Sequence, residues 1–109
     1  MKVVAHRLDG ADTKTLRDLY DALKSLRPQG LFVMLASVAD EKVTLIAGAT
    51  PDVVKRGISA GEAIKVAAPV VGGSGGGKPE MAQAGGKDTS RVDDALRTAR
   101  SLVEGLLSK

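Results

Sequence analysis

The sequence contains no cysteine and no tryptophan, and its only histidine is His6. Without cysteine, the chain can form neither disulfides nor thiolate metal sites, and it has no cysteine nucleophile. A single histidine excludes a histidine-rich metal site and a histidine-pair mechanism. No stretch approaches the ~20 apolar residues that a membrane helix needs. The start of the sequence lacks the long apolar run of a signal peptide, so we expect no membrane contact and a cytoplasmic location.

Aromatic residues are almost as scarce, because Tyr20 and Phe32 are the only two. The core must therefore be built from Leu, Val, Ile and Ala. For the same reason we do not expect the stacking of bases on aromatic rings that many nucleic-acid-binding domains use. A chain of 109 residues suits one domain. Such a domain has one modest core and little room for a deep catalytic cavity.

The net charge of +3 is unevenly placed. Residues 1–54 carry seven Lys/Arg and seven Asp/Glu, whereas residues 55–109 carry nine and six. A basic half attracts polyanions, but a charge of this size also fits an ordinary soluble protein. Composition alone leaves both interpretations open.

The first half of the chain predicts three strands and one helix. Residues 3–8 and 31–38 have strand composition, and the apolar residues between them recur at helical spacing. Asp12 or Thr13 can cap this helix. Residues 31–38 are nearly all apolar, which predicts a strand covered on both faces. A third strand over residues 43–49 follows a short polar link, which predicts a hairpin.

The second half predicts helices on both sides of a glycine-rich segment. Thr50 and Pro51 mark a helix start, and Gly57 interrupts the helical pattern. A further helical run follows, and Pro69 is expected to kink or shorten it.

A long helix is predicted at the C-terminal end of the chain, over about residues 90–107. Ser90 is its predicted cap, and Asp93 and Arg97 are expected to form an i,i+4 pair on its exposed side. Together these patterns predict an α/β fold with a mixed sheet of about four strands and helices packed on it. The first strand–helix–strand unit should be parallel and should be followed by the hairpin.

Residues 72–88, GGSGGGKPEMAQAGGKD, hold seven of the thirteen glycines. Glycine-rich loops often bind phosphate because bare backbone N–H groups can approach an anion closely. The nucleotide-binding templates nevertheless fail. Pro79 stands where a Walker A loop needs Ser or Thr, and Lys78 replaces the third glycine of the dinucleotide pattern that starts at Gly73. The Met and Ala residues between the glycine blocks suggest a buried strand or turn, and Gly85 and Gly86 suggest close backbone approach. We therefore expect a structured anion-binding loop followed by a short strand, and a flexible connector is the alternative.

The same segment resembles the signature near the C terminus of alanyl-tRNA synthetases. That signature is a glycine run, a basic residue, proline, an acidic residue and then MAQAGG. The preceding stretch, TLIAGATPDVVKRGISAGEAIK, is similar to the region just upstream in that family. The resemblance is closest over about residues 43–107, and it implies a single DHH-associated domain over residues 1–109. Ser74 interrupts the glycine run, and Lys78 stands where the related domains of DHH phosphoesterases carry histidine.

The resemblance implies a binding function without chemistry. The catalytic and editing regions of these synthetases lie upstream of this domain, so we expect no enzyme activity, no catalytic residue and no metal in this chain. ATP, magnesium and zinc are expected only in those upstream regions. In the family this domain contacts the outer corner of the L-shaped tRNA and helps both charging and editing. The expected partners are therefore alanine tRNA and the upstream domains of the same synthetase, and a homodimer is an expectation for the full-length protein only.

The predicted tRNA-binding residues lie in the signature and in the last helix. Lys78 and Lys87 bracket the signature and are predicted to contact phosphates, which lysine holds as a point charge. Arg91 and Arg100 are predicted to extend the basic surface along the helix. The glycines predicted to give the RNA access to the backbone are Gly75, Gly76, Gly77, Gly85 and Gly86.

Two other functions stay open at this level. The chain could be the substrate-clamping domain of a DHH-type phosphoesterase, which would bind a small nucleotide or a single-stranded end. It could also be a dimerisation or protein-interaction module.

Overall fold

The computed structural model describes residues 1–107 as five strands and four helices. The strands are β1 (Lys2–Arg7), β2 (Leu31–Ala39), β3 (Lys42–Ala49), β4 (Ser74–Gly77) and β5 (Met81–Gly86). The helices are α1 (Thr13–Leu26), α2 (Pro51–Lys55), α3 (Ala60–Ala67) and α4 (Val92–Leu107), with 3₁₀ turns at Ala68–Val71 and Thr89–Arg91. All strands belong to one mixed sheet in the order β1-β2-β3-β5-β4. The predicted α/β class is confirmed, and the sheet has one strand more than the four expected.

The first half of the chain folds as its sequence predicts. The N–H of Thr15 donates to the Asp12 carboxylate at 2.8 Å, so Asp12 caps α1. β1 pairs with β2 in parallel, and β2 pairs with β3 in antiparallel orientation. Asp40 and Glu41 join β2 to β3 and have φ angles of 52° and 60°. Two consecutive left-handed residues form the tight turn that matches the twist of a hairpin, and the predicted hairpin is confirmed.

The sheet carries a separate apolar core on each of its faces. All residues from 31 to 37 are buried, which confirms that β2 is covered on both sides. The core on the first face consists of Leu31, Val33, Leu35 and Ile46 of the sheet with Leu16 and Tyr20 of α1. The core on the second face is larger and includes Phe32, Met34, Leu45, Ile64, Val92 and Val103. Helices α2, α3 and α4 supply the second layer, so the sheet lies between α1 and these three helices.

The segment between β3 and β4 contains two short helices whose ends follow from named residues. The Thr50 hydroxyl donates to Asp52 Oδ1 at 2.7 Å and accepts from the N–H of Leu31 at 3.2 Å, so it ties the start of α2 to the start of β2. Helix α3 ends at Ala67 and continues as a 3₁₀ turn that contains Pro69. Proline has no N–H to extend the helical ladder, so the predicted shortening is confirmed.

Helix α4 begins at Val92 rather than at Ser90. The Asp88 carboxylate accepts from the Ser90 hydroxyl at 2.5 Å and from its backbone N–H at 3.1 Å. The bond from the Ser90 hydroxyl is the largest cause that holds the pKa of Asp88 below its ordinary value. Ser90 therefore bonds to the capping carboxylate, and Asp88 replaces it as the cap of the preceding 3₁₀ turn. In the part of the chain that the structure describes, no helix combines the length and apolar character needed to cross a membrane.

Helix α1 covers only part of the first face of the sheet. It packs against β2 and β3, and Gln83 of β5 lies opposite Ile46 in the sheet register. Ser74 pairs with Gly85, and Gly76 pairs with Gln83. Directly paired residues of antiparallel strands project from the same face, so these four residues continue the first face beyond α1. We call Ser74, Gly76, Gln83 and Gly85 the open sheet face, because within residues 1–107 helix α1 packs mainly on β2 and β3 rather than on these residues.

Candidate nucleic-acid interface

The glycine-rich segment is structured, as predicted, but it forms a β-hairpin in which the glycine run is a strand and not a loop. β4 is the edge strand of the sheet and pairs in antiparallel orientation with β5. Residues 78–80 make the turn, where the N–H of Lys78 donates to the carbonyl of Met81 at 2.9 Å. Consecutive glycines are poor strand formers. The surroundings of each glycine must therefore explain why this strand exists.

Gly75, Gly77 and Gly86 are glycines for a steric reason. A Cβ on Gly75 or Gly77 would lie 2.5 or 2.7 Å from the Cα of a β5 residue. A Cβ on Gly86 would lie 2.6 Å from the carbonyl oxygen of Val71. No side chain can sit so close to backbone atoms. These three predicted binding residues are therefore required for β4 and the preceding turn to lie close against β5.

Gly76 and Gly85 have no such steric reason. A Cβ on Gly76 would meet no atom within 4 Å, and a Cβ on Gly85 would meet only the carbonyl oxygen of Val43 at 3.8 Å, an ordinary contact. Neither glycine has a positive φ that a side chain would disfavour. Glycine in a strand interior is less stable than alanine by roughly 0.5–1 kcal/mol. Both residues lie on the open sheet face, and the fold itself does not require either of them to be glycine.

Four exposed cations without a carboxylate partner flank the hairpin. At one end, Lys42 and Lys87 line an open depression of about 490 Å³. At the other end, Arg17 and Lys78 line a second depression of about 510 Å³, which Glu80 also borders. Within residues 1–107 none of these four cations forms an ion pair. The end that carries Lys42 and Lys87 is the more positive of the two, because it has no acidic side chain in its lining.

The two lysines predicted to bind phosphate project from fixed positions in the backbone. The N–H of Lys78 is held in the hairpin turn, and the N–H of Lys87 donates to the carbonyl of Val71 at 2.8 Å. Both side chains are exposed. Lys78 is level with Met81 in the register, so the six residues of β5 separate the two lysines by about 20 Å at roughly 3.3 Å per residue. The lysines therefore present two charges at opposite ends of the open sheet face.

The two arginines predicted on the last helix are both paired, and only Arg100 lies on α4, because Arg91 ends the 3₁₀ turn before it. Arg91 Nε lies 3.6 Å from Asp94 Oδ2, and Arg100 Nε donates to Glu104 Oε1 at 2.8 Å. Helix α4 packs on the second face of the sheet, against α3, β1 and β2. The structure therefore separates Arg100 from the hairpin lysines, whereas Arg91 follows Lys87 by only four residues.

The charges along α4 are balanced, although not in the predicted pairs. Arg97 Nη1 donates to Asp94 at 2.9 Å, whereas Asp93 lies 3.6 Å from Arg7 of β1. The predicted Asp93–Arg97 pair is therefore wrong. Residues 91–107 hold three arginines and three acidic residues. This surface offers an anion less net charge than the hairpin does.

Sequence reasoning missed Arg17, Lys42 and Gln83. Arg17 belongs to α1, and only the strand order brings that helix beside the hairpin. Lys42 starts β3, the neighbour of β5 in the sheet. Gln83 had a local signal, because alternation along MAQAGG places residues 83 and 85 on one face and the two alanines on the other.

Comparison with known sequences gives a match over nearly the whole chain. The DHHA1 domain family matches residues 1–105. An alanine–tRNA ligase from a Polaromonas species is 50% identical over 103 residues. The match covers 94% of this chain and 12% of that ligase, so the chain corresponds to a small part of its relative.

Comparison with solved structures gives the same fold. The C-Ala domain of alanyl-tRNA synthetase from Aquifex aeolicus has a TM-score of 0.80 at 26% identity, over 97% of this chain and 91% of that domain. A DHH domain protein from a family of ribosomal proteins has a TM-score of 0.61 at 15% identity, over 86% of this chain and 21% of the other. The second likeness extends to the fold alone.

Proposed function

The chain belongs to the DHHA1 domain family, and from that premise we propose that it is the C-terminal, tRNA-binding domain of an alanine–tRNA ligase. It matches 12% of the length of the Polaromonas ligase and almost the whole of the C-Ala domain. In this role the domain docks the folded outer corner of alanine tRNA and so assists aminoacylation and editing, which other domains of the ligase perform. Those domains are its second partner, and the cytoplasm, where translation occurs, is its proposed location.

Four cations without a carboxylate partner in residues 1–107 surround a hairpin that consists mainly of glycine and alanine, and this arrangement is the main support for the proposal. Contacts to phosphates supply most of the affinity of nucleic-acid-binding proteins. Lys42 and Lys87 lie about 20 Å from the turn that carries Lys78, by the strand rise along β5. A single small anion cannot reach both ends, whereas a folded RNA presents phosphates along its whole backbone. The arrangement therefore favours a polymer over a free nucleotide.

The proposal assigns binding, and no catalysis, to this chain. Ser74 and Gln83 are the only polar side chains of the open sheet face, and His6 lies on β1 at the opposite edge of the sheet. Ser74 thus has no histidine nearby to act as a base. Among residues 1–107 no three His, Asp or Glu side chains come together as a metal site. We assign ATP, magnesium and zinc, with the charging and editing reactions, to other parts of the ligase.

Titration of the chain with alanine tRNA at several salt concentrations tests this proposal. We expect binding that weakens with salt, and a preference for tRNA over duplex RNA of equal length. Lys78→Ala and Lys87→Ala should each reduce the slope of log affinity against log salt by about 0.7–0.9, the value for one phosphate contact. Lys55→Ala is the matched control, because Lys55 is exposed and unpaired but ends α2 on the second face of the sheet.

Three results would contradict the proposal in different ways. Absence of binding at low salt would refute tRNA binding by the chain. Equal affinity for duplex RNA would refute the docking of a folded corner. An unchanged salt slope in both hairpin variants, or the same change in Lys55→Ala, would exclude the hairpin from the interface.

The fold shared with a DHH domain protein keeps a second candidate function in view, the clamping of a small substrate beside a phosphoesterase domain. Lys78 can hold a phosphate as a point charge, and it stands where the related phosphoesterase domains carry histidine. Displacement of tRNA by micromolar mononucleotide would favour this candidate. A mass that rises with concentration in light scattering, together with no RNA binding, would favour a dimerisation module.

A further inference from the structure

Gly76 and Gly85 lack side chains for a reason that the fold does not supply. An alanine at either position would have room, and the φ angles do not require glycine. Alanine would also stabilise the strands slightly. Glycine in a strand often marks a site where a ligand or another backbone approaches closely. Within residues 1–107 a Cβ at Gly76 would meet no atom within 4 Å, so this face has room for a ligand to approach the backbone closely.

Gln83 is the polar side chain at the centre of this bare surface. It lies directly opposite Gly76 in the register and projects from the same face as Gly85, two residues along the strand. The side chain is exposed, and within the described residues its amide forms no hydrogen bond. The amide is neutral and offers both a donor and an acceptor, so it can pair with both kinds of group on a base edge, whereas a phosphate would use its donor alone.

Arg17 of α1 borders the same depression as Gln83 and Gly76. Its guanidinium is exposed and has no carboxylate partner in residues 1–107. A guanidinium is planar, and in RNA complexes it stacks on bases that have left the helical stack. The open sheet face thus consists of exposed strand backbone, one amide that can hydrogen-bond to a base edge, and one planar cation at its side.

We infer that the open sheet face receives exposed bases of the tRNA, and that Gln83 is the residue that contacts a base edge. Gly76 and Gly85 let the bases reach the backbone, and Arg17 stacks beside them. Lys78 and Lys87 hold phosphates at the two ends. This inference rests on the proposed function, and it adds base contact to the recognition by shape and charge that the sequence indicates.

Three variants separate the contacts of the open sheet face from the ionic phosphate contacts of the lysines in the same tRNA titration. Gln83→Ala should lower the affinity for tRNA at least about fivefold, the lower bound for a good bidentate base contact, with the salt slope unchanged. Arg17→Lys keeps the charge but loses the plane, so the affinity should fall while the slope stays the same. Gly76→Ala should lower the affinity, because the added methyl group keeps the bases away from the strand backbone, and it should not lower the thermal stability. Gly105→Ala is the control, since Gly105 also has open space around it but lies on α4.

The outcomes distinguish this inference from the function on which it rests. If Lys78→Ala and Lys87→Ala weaken binding while Gln83→Ala and Gly76→Ala bind like the wild type, tRNA binding stands and base contact is wrong. If Gln83→Ala and Arg17→Lys both reduce the salt slope, their effect is electrostatic and the inference is also wrong. If the wild type does not bind tRNA, the proposed function fails, and the inference fails with it.

Discussion

Two adjacent glycines of β4 should respond in opposite ways to the same substitution. Gly75→Ala would place a Cβ 2.5 Å from the Cα of Ala84, whereas ordinary van der Waals contact begins near 3.4 Å. β4 would therefore have to move away from β5 by about 1 Å. Gly76→Ala places a Cβ where no atom lies within 4 Å. One methyl group thus tests which side of the strand is packed.

The magnitude at Gly75 follows from the rigidity of what the new methyl group meets. Overpacking a well-packed site costs about 1–3 kcal/mol, and a clash with backbone belongs at the upper end because no side-chain rotation relieves it. In a domain of this size, each 1 kcal/mol shifts Tm by roughly 4–8 °C. We therefore expect Gly75→Ala to lower Tm by about 12 °C or more. Gly76→Ala should leave Tm unchanged or raise it by a few degrees, because alanine is the better strand former by roughly 0.5–1 kcal/mol.

Thermal and urea unfolding followed by circular dichroism would measure both changes. Gly105→Ala provides a calibration, because replacing an exposed helix glycine should raise the free energy of unfolding by about 0.8–1 kcal/mol. The urea m-value should stay constant across the three variants if each unfolds in two states. Equal destabilisation by Gly75→Ala and Gly76→Ala would refute the reasoning, and so would a Gly75→Ala variant as stable as the wild type. Either result would mean that β4 does not lie against β5 as described.

Three further predictions concern the rest of the fold. A threonine hydroxyl and a backbone N–H that donate to Asp52 hold the pKa of its carboxyl below the ordinary value. The ionised Asp52 carboxylate therefore stabilises the fold above about pH 4, and this contribution is lost as pH falls through the lowered pKa. When Tm is measured from pH 6 to 2, it should fall less steeply in Asp52→Asn than in the wild type. Gly48→Ala should cost about 1–3 kcal/mol in urea unfolding, because its Cβ would lie 2.5 Å from Tyr20 Cζ, and adding Tyr20→Leu should recover part of the loss. Arg100→Ala removes one side of an exposed ion pair, so the free energy of unfolding should change by less than about 1 kcal/mol. The affinity of this variant for tRNA should change less than that of the hairpin lysine variants.

The elements that the sequence predicts well are those whose signal is local. β2 is a run of apolar residues too short for a long helix, and such a run indicates a strand buried on both faces. The polar link at Asp40 and Glu41 is short enough to require a hairpin. Asp12 and Pro69 act through their own backbone neighbours, as a cap and as a helix breaker. In each case the physical cause lies within a few residues of the pattern.

β4 was missed because its cause is not local. Gly75, Gly76 and Gly77 have low strand propensity, and composition alone indicates a loop. The strand forms because β5 supplies a ladder partner and α3 packs against it. The start of α4 shows the same limit on a smaller scale, since Asp88 and Ser90 both have side chains that can cap and only the folded turn decides between them.

The sequence predicted the lysines of the candidate site, but it did not predict which residues of other elements lie beside them. Lys78 and Lys87 bracket the signature in sequence, and they remain at its two ends after folding. Arg17 carries no sequence signal for this role, because its position beside the hairpin depends on how α1 crosses the sheet. The two kinds of glycine are also indistinguishable in the sequence, since only the packed structure shows which Cβ positions are filled.

Alternation along β4 and β5 divides the signature into two groups of residues. The identity of one group is set by packing within the fold, and the other group is free to be set by a ligand. Ala82, Ala84 and Gly86 face the second core, and Gly75 and Gly77 are confined by β5, so their identity is set by the fold. The face on which Gly76, Gln83 and Gly85 lie is free of that constraint. A matching signature in another protein is therefore evidence for the same hairpin, but not by itself for the same ligand. Evidence about the ligand has to come from the open sheet face and from the cations at its ends, where a substitution can change binding without changing the fold.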